Sequence, residues 1–138
     1  MSTAESLCNE IVQHVPGCQS SAVLRSVMTS LGLMRYSHPA LVDSIITWYQ
    51  SSSMDTRDMT TLIITLASIN YSGVSAQALL DSVTGQLQSS SLPDHVWLDT
   101  VWSLTVLGRV THQQVQSVLE SSFSNNILCK YHLLIFSQ

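Results

Sequence analysis

Three segments of this sequence share one apolar pattern that repeats along the chain. Each has a leucine at the same place, and the apolar residues around it are spaced three and four apart. The segments are VMTSLGLMRY around Leu31, LIITLASINY around Leu66 and TVWSLTVLGR around Leu104, so the leucines are 35 and 38 residues apart. This spacing is typical of an amphipathic α-helix that buries a wide face.

The length of the repeat limits the folds that the chain can adopt. A second apolar segment follows each of the three, and turn residues separate the two halves. Helix pairs that repeat at about 34–40 residues are typical of α-solenoids, in which stacked pairs bury a continuous core. We therefore predict an all-α fold, a right-handed α-solenoid-like array of about three helix pairs.

The predicted organisation places the repeats between two short elements. Residues 1–19 are an N-terminal helix and turn, and residues 20–126 are the helical-repeat domain. Its repeats are 20–53, 54–91 and 92–126. Residues 127–138 are apolar and form a truncated C-terminal element.

Several residues predict where helices begin and what their cores contain. Ser37 and Asp55 are predicted N-caps, and Thr111 with Gln114 matches a capping box. Gly108 is a predicted C-terminal glycine of the third repeat's first helix. The core assignment includes the three tryptophans, with Trp97 the most exposed of them: Trp48, Trp97 and Trp102.

Charge is scarce throughout the chain. Hydrophobic residues make up 45% of the 138 residues and charged residues only 10%, which suits one domain with a Ser-, Thr- and Gln-rich surface. The net charge is −4, whereas a self-sufficient nucleic-acid binder usually has a basic excess. The composition argues against strong autonomous RNA binding and suits a chain that rests against a partner.

Cysteine content and hydropathy argue against several classes of protein. The three cysteines form no C-x-x-C pair, which argues against a disulfide framework or a zinc site. No apolar run reaches the ~18 residues that a membrane-spanning helix needs. No Lys or Arg precedes Arg25, unlike a signal or transit peptide.

No motif for catalysis or metal binding is visible. The five glycines are isolated, so no Gly-rich phosphate loop exists, and neither H-R-D nor D-F-G occurs. The histidines lack metal-ligand spacing, and Cys129 with His132 has no visible third catalytic group. We predict a protein that is not an enzyme and that uses no cofactor and no metal.

Two phrases of the third repeat suggest a family. Residues 99–108 read DTVWSLTVLG, and after a Thr- and Gln-rich turn residues 118–123 read VLESSF. In order and spacing these phrases resemble the FAST kinase domain-containing family of mitochondrial RNA-binding proteins. The resemblance covers residues 20–123, roughly, and is to the helical-repeat region. In that family this region precedes the FAST kinase-like subdomains and a C-terminal RAP domain.

The resemblance implies a function and a location. It implies a helical-repeat module that binds single-stranded mitochondrial RNA and regulates RNA processing, stability or translation. It also implies the mitochondrial matrix, with other RNA-granule proteins as partners. Because no targeting segment or RAP domain is recognisable, we expect a fragment or truncated isoform, which is cytoplasmic if it is not imported. The alternative is a protein–protein interaction scaffold with the same fold and no direct RNA contact.

The register of the repeat places three side chains at one equivalent position. Tyr36, Tyr71 and Arg109 lie five residues beyond the shared leucine, and Arg35 precedes Tyr36. Neighbouring pairs of a solenoid project equivalent positions onto one surface. Tyr and Arg at this position are expected to stack on unpaired bases, and Arg35 is expected to contact phosphate, so these four residues are predicted RNA contacts. The alternative is that tyrosines at helix ends only cover the loop below them.

The distribution of the arginines distinguishes the two functions. If Arg25, Arg35, Arg57 and Arg109 converge away from carboxylates, RNA binding is favoured, because phosphate contacts need a local positive charge. If they are scattered among carboxylates, the protein-interaction scaffold is favoured.

Overall fold

The computed structural model describes residues 2–87 and 92–120. Within these ranges the chain forms α-helices and two short 3₁₀ turns, with no strand. The helices are α1 Thr3–His14, α2 Ser21–Met34, α3 Pro39–Gln50, α4 Thr56–Ser68, α5 Val74–Val83, α6 Asp94–Val106 and α7 His112–Leu119. The 3₁₀ turns are Val15–Gly17 and Thr84–Gln86. The all-helical prediction is confirmed for the part of the chain that the structure describes.

Alternate helices pack into two rows. In the first row, helix α2 packs against α4 and α4 against α6. In the second row, α1 packs against α3 and α3 against α5. Each helix of the first row also contacts the helix that follows it in sequence. Helices α2 and α4 run in the same direction, because Arg25 contacts Asp58 near their N-termini and Gly32 contacts Thr65 near their C-termini.

The core lies between the two rows and contains the residues that define the repeat. Leu31 is 2% exposed, and Leu66 and Leu104 are fully buried. The second row contributes aliphatic side chains that are equally buried. They include Leu41, Val42, Ile45, Ile46, Leu79 and Leu80.

Two of the three N-caps predicted from the sequence are present in the structure. The Asp55 carboxylate accepts the Asp58 amide at 2.8 Å, and Thr111 with Gln114 forms the predicted capping box. The prediction of Ser37 as the N-cap of α3 is wrong, because His38 occupies that position. Its Nδ1 accepts the Leu41 amide at 3.1 Å and stands in for the usual side-chain oxygen.

The placement of the tryptophans also differs from the prediction. Trp97 is buried, and its indole N–H donates to the Ser117 hydroxyl of α7 at 2.8 Å. Trp102 is 70% exposed and lies outside the core, while Trp48 is partly buried. Trp97 and Trp102 lie on adjacent apolar stripes of α6, and periodicity alone does not tell which stripe faces the neighbouring helices.

Two predictions about organisation remain predictions. The element at 127–138 lies outside the described residues, and so does the end of the third repeat. The N-terminal helix, placed before the repeats by the sequence, packs against α3 in the second row.

Candidate nucleic-acid interface

The three helices of the first row end in the same backbone structure. In each, the amide five residues beyond the shared leucine donates to that leucine's carbonyl oxygen. The pairs are Tyr36 to Leu31 at 3.0 Å, Tyr71 to Leu66 at 3.0 Å and Arg109 to Leu104 at 2.8 Å. Of the two hydrogen bonds of a Schellman motif, this is the one that spans five residues. The motif satisfies carbonyl groups that the helix end leaves without a partner.

The residue before each of these amides adopts the left-handed conformation. The φ angle is +51° at Arg35, +53° at Asn70 and +74° at Gly108. Their amides donate to a carbonyl three residues earlier, which is the second helix-end bond. The spacing between the shared leucine and the predicted contact residue therefore has a backbone cause, although only Gly adopts this conformation without cost.

Equivalent ends of neighbouring helices lie along one edge of the first row. We call this the helix-end edge and define it by residues 35–36, 70–71 and 108–109. It includes all four predicted RNA contacts, which are Arg35, Tyr36, Tyr71 and Arg109. RNA contact by these four residues stays a prediction.

Tyr71 and Arg109 connect neighbouring repeats. The Tyr71 hydroxyl donates to the Asp43 carboxylate of α3, which also accepts the Ser75 hydroxyl. The Arg109 guanidinium donates to the Asp81 carboxylate of α5 and to the side chain of Gln77. In both repeats the carboxylate lies 28 residues before its partner, so the two contacts are equivalent.

The phenol of Tyr71 is held in its neutral form. Burial of the hydroxyl and its hydrogen bond to Asp43 both raise the pKa of Tyr71 above its ordinary value. A neutral donor is what the Asp43 carboxylate requires. The ring is only partly buried, so its orientation is fixed while part of it still faces solvent.

Arg35 and Tyr36 are placed differently from the other two. Arg35 is exposed, and Tyr36 is a partly buried residue that packs against the core. The nearest equivalent of the inter-repeat contact in this repeat joins His38 Nε2 to Asn9 Oδ1 at 2.9 Å. Because His38 Nδ1 accepts the Leu41 amide, Nε2 carries the proton and donates to Asn9.

The arginines do not converge on this edge. Arg25 donates to Asp58 at 2.8 Å near the N-terminal ends of α2 and α4, away from the helix-end edge. The Asp58 side chain is 3% exposed there. Arg109 is paired with Asp81, and Arg57 is exposed in the first turn of α4. This scattering among carboxylates is the arrangement expected of the protein-interaction scaffold.

Metal ligands and membrane spans bear on the other predictions. Within residues 2–87 and 92–120, no three side chains among His, Cys, Asp and Glu are grouped closely enough to hold a metal ion. None of the helices described combines the length and the hydropathy that crossing a bilayer would require.

A family model identifies the family of this chain. The model of FAST kinase-like protein, subdomain 1, matches residues 59–128, which is half of the chain. This chain belongs to the FAST kinase-like family. The match assigns most of α4 and all of α5 to α7 of this FAST kinase-like chain to subdomain 1, whereas the resemblance had placed the helical repeats before the subdomains. No curated protein and no solved structure matches the chain.

The sequence did not reveal the acidic partners of the edge. Asp43 and Asp81 are lone carboxylates within second-row helices, and nothing near them in the sequence marks them as partners of Tyr71 and Arg109. The available signal was the shared offset of 28 residues, which becomes meaningful only once neighbouring repeats are known to pack.

Proposed function

We propose that this chain is a helical-repeat module, of the right-handed α-solenoid type, in a mitochondrial RNA-binding protein. It binds single-stranded RNA and regulates processing, stability or translation of mitochondrial transcripts, and it acts by binding rather than catalysis. The mitochondrial matrix is its expected location, with RNA-granule proteins as neighbours. The observation that carries the proposal is membership of the FAST kinase-like family.

The helix-end edge is the RNA-contact surface in this proposal. The same helix-end hydrogen bonds place one equivalent residue at the end of each neighbouring helix. A surface that contacts successive bases needs such regularly repeated positions. Tyr71 has a partly exposed ring whose hydroxyl is fixed by Asp43, and a rigid ring loses little entropy when a base stacks on it. Arg35 supplies an exposed positive charge beside Tyr36 for a phosphate.

A protein-interaction scaffold is the second candidate. Arg25 and Arg109 are paired with carboxylates, which leaves little positive charge for phosphates. Leu33 is 81% exposed and Trp102 is 70% exposed, and exposed apolar side chains on a surface with few charges suit a protein partner.

Binding of a fluorescent oligouridine to the 138-residue chain, measured over a salt series, tests the first function. Arg35→Gln is expected to weaken binding and to lower the salt slope by about one, because one phosphate contact is lost. Arg57→Gln is the matched control, since Arg57 is also exposed but lies at the other end of α4. This control is expected to leave binding unchanged.

Tyr36 provides a separate test of stacking. Tyr36→Ala is expected to weaken binding about tenfold or more, while Tyr36→Phe keeps the ring and the affinity. Binding that is independent of salt and of both residues would overturn the RNA-contact surface. Salt-independent capture of a protein partner that Trp102→Ala abolishes would support the scaffold instead.

A further inference from the structure

A groove of the second row lies between the first 3₁₀ turn and α3. Its volume is about 470 Å³, a size typical of clefts that bind ligands. The turn contributes Val15 and Pro16, and α3 contributes Asp43, Thr47 and Trp48 among others. The groove therefore combines apolar side chains, an aromatic ring and a carboxylate.

The Asp43 carboxylate in this groove has no positively charged partner among the described residues. Its Oδ1 accepts the hydroxyls of Tyr71 and Ser75, which are neutral donors. None of the ion pairs in the described part of the chain includes Asp43. Its negative charge is therefore uncompensated, and its Oδ2 remains available to a further donor.

The next repeat indicates which group suits this carboxylate. Asp81 occupies the equivalent position and is paired with the guanidinium of Arg109. In the repeat of Asp43, Tyr71 stands where Arg109 stands in the next one, so a phenol replaces the cation. Of two equivalent carboxylates, the chain neutralises one with an arginine and leaves the other charged.

Trp48 adds a ring on which a guanidinium can stack. Its indole N–H donates to the Cys18 carbonyl at 2.9 Å, which fixes the orientation of the ring, and the side chain is only partly buried. Arginine is the side-chain cation that stacks most often on tryptophan. Asp43 and Trp48 are about 7.5 Å apart along the axis of α3, so a long side chain can lie on the indole while its charge reaches the carboxylate.

We propose that this groove binds an arginine side chain of a protein partner, with the guanidinium at Asp43 and the stem against Trp48. Charge complementarity selects this occupant, because none of the residues that line the groove is Lys or Arg and a phosphate would be repelled by Asp43. The apolar side chains of Val15 and Pro16 suit the neighbouring residues of such a partner. The proposal does not depend on RNA binding.

Titration of the isotope-labelled chain with N-acetylarginine amide, followed by NMR, tests the site. The indole N–H of Trp48 and the backbone amide of Thr47 are expected to shift, and the affinity is expected to fall as salt is added. N-acetylcitrulline amide is the matched control ligand, because citrulline has a similar shape and no charge. It is expected to bind about tenfold more weakly or less, since the hydrogen bond between charged groups is lost. Equal affinity for the two amides, or no shift at Trp48 and Thr47, would overturn the proposal.

Two variants test the contribution of Asp43 to this binding. Asp43→Asn removes the charge and keeps an oxygen that can accept the two hydroxyls, while Tyr71→Arg supplies a cation from the chain itself, as the next repeat does. Each is expected to weaken binding of N-acetylarginine amide about tenfold or more. Tyr71→Arg retains Asp43 and keeps the test decisive if Asp43→Asn fails to fold.

Asp99→Asn is the matched control variant, because it removes the same charge from an exposed position on α6. It is expected to leave the affinity for N-acetylarginine amide unchanged. Binding that Asp43→Asn or Tyr71→Arg leaves intact, or that Asp99→Asn weakens equally, would overturn the proposal.

Ethylguanidinium distinguishes a protein partner from a small guanidinium compound. It has the charged group but lacks the apolar atoms that would cover Val15 and Pro16, so the dipeptide N-acetyl-Leu-Arg amide is expected to bind more tightly. Ethylguanidinium that binds as tightly as the dipeptide would identify a small cation as the ligand and would overturn the assignment to a protein.

Discussion

The backbone amide of Tyr36 donates to the carbonyl oxygen of Leu31 at 3.0 Å, and this bond explains why the two positions recur together. It forms only when the residue just before the donating amide adopts a positive φ. In the three repeats that residue is Arg35, Asn70 or Gly108. An L-residue in that conformation costs roughly 1–2 kcal/mol, and glycine avoids the cost.

Arg35→Gly is expected to stabilise the chain. The left-handed conformation at φ +51° strains the arginine, so glycine should raise the free energy of unfolding by about 0.5–1 kcal/mol after its own entropy loss. Urea unfolding followed by circular dichroism measures the change. The same substitution at Arg57, in the first turn of α4, should destabilise by a similar amount. Equal losses in both variants would contradict the strain assigned to Arg35.

The ion pair between α2 and α4 is expected to be sensitive to loss of one partner. Arg25→Met leaves the Asp58 carboxylate, whose side chain is 3% exposed, without its cation, and this should lower the free energy of unfolding. Changing both residues, Arg25→Met with Asp58→Leu, should recover much of that loss, because no buried charge remains. A double variant as unstable as Arg25→Met alone would show that the pair does more than neutralise Asp58.

Close contact between α2 and α4 depends on the missing side chain at Gly32. A Cβ there would lie 3.3 Å from Thr65 Oγ1, whose hydroxyl donates to the Met28 carbonyl. Gly32→Val should therefore separate the helices and lower the free energy of unfolding by about 1–3 kcal/mol. Gly85→Val provides the contrast for chemical denaturation and should cost less, because a Cβ added at Gly85 would meet nothing within 4 Å.

The chain is expected to lose stability in alkali. Burial raises the pKa of Tyr49, and so does the neighbouring Asp58 carboxylate; the pKa of Tyr71 is raised by burial and by Asp43. Because both pKa values are raised in the folded state, the stabilisation that these two neutral phenols contribute is fully present below pH 10.0, the ordinary tyrosine pKa. That contribution is lost as the pH rises further.

Phenylalanine substitutions check the origin of that decline. Tyr49→Phe combined with Tyr71→Phe should flatten the dependence of unfolding free energy on pH above the ordinary tyrosine pKa. Near neutral pH the same variant should cost about 1 kcal/mol for each hydrogen bond lost. An alkaline decline that is as steep in the double variant as in the original chain would exclude these two tyrosines as its cause.

Helix content and helix starts could be predicted from local sequence, because they depend on near neighbours. Asp55 and Thr111 cap their helices through bonds that span three residues. His38 was missed as an N-cap because a serine, the more usual capping residue, stands beside it.

The surroundings of the candidate site could not be predicted in the same way. Trp97 and Trp102 both lie on apolar stripes of α6, and which stripe is buried depends on where α4 and α7 pack. The pairing of Tyr71 with Asp43 joins residues 28 positions apart and requires α3 and α5 to be neighbours. Sequence periodicity predicts faces, but partners across repeats follow only from the packed array.

The most direct test of RNA binding at the helix-end edge is an amide chemical-shift titration of the isotope-labelled chain with oligouridine. We expect the largest shifts at residues 35–36, 70–71 and 108–109, and we expect them to diminish together as salt is added. Shifts confined to the opposite helix ends around Arg25 and Arg57, or no shifts at low salt, would contradict this function of the edge.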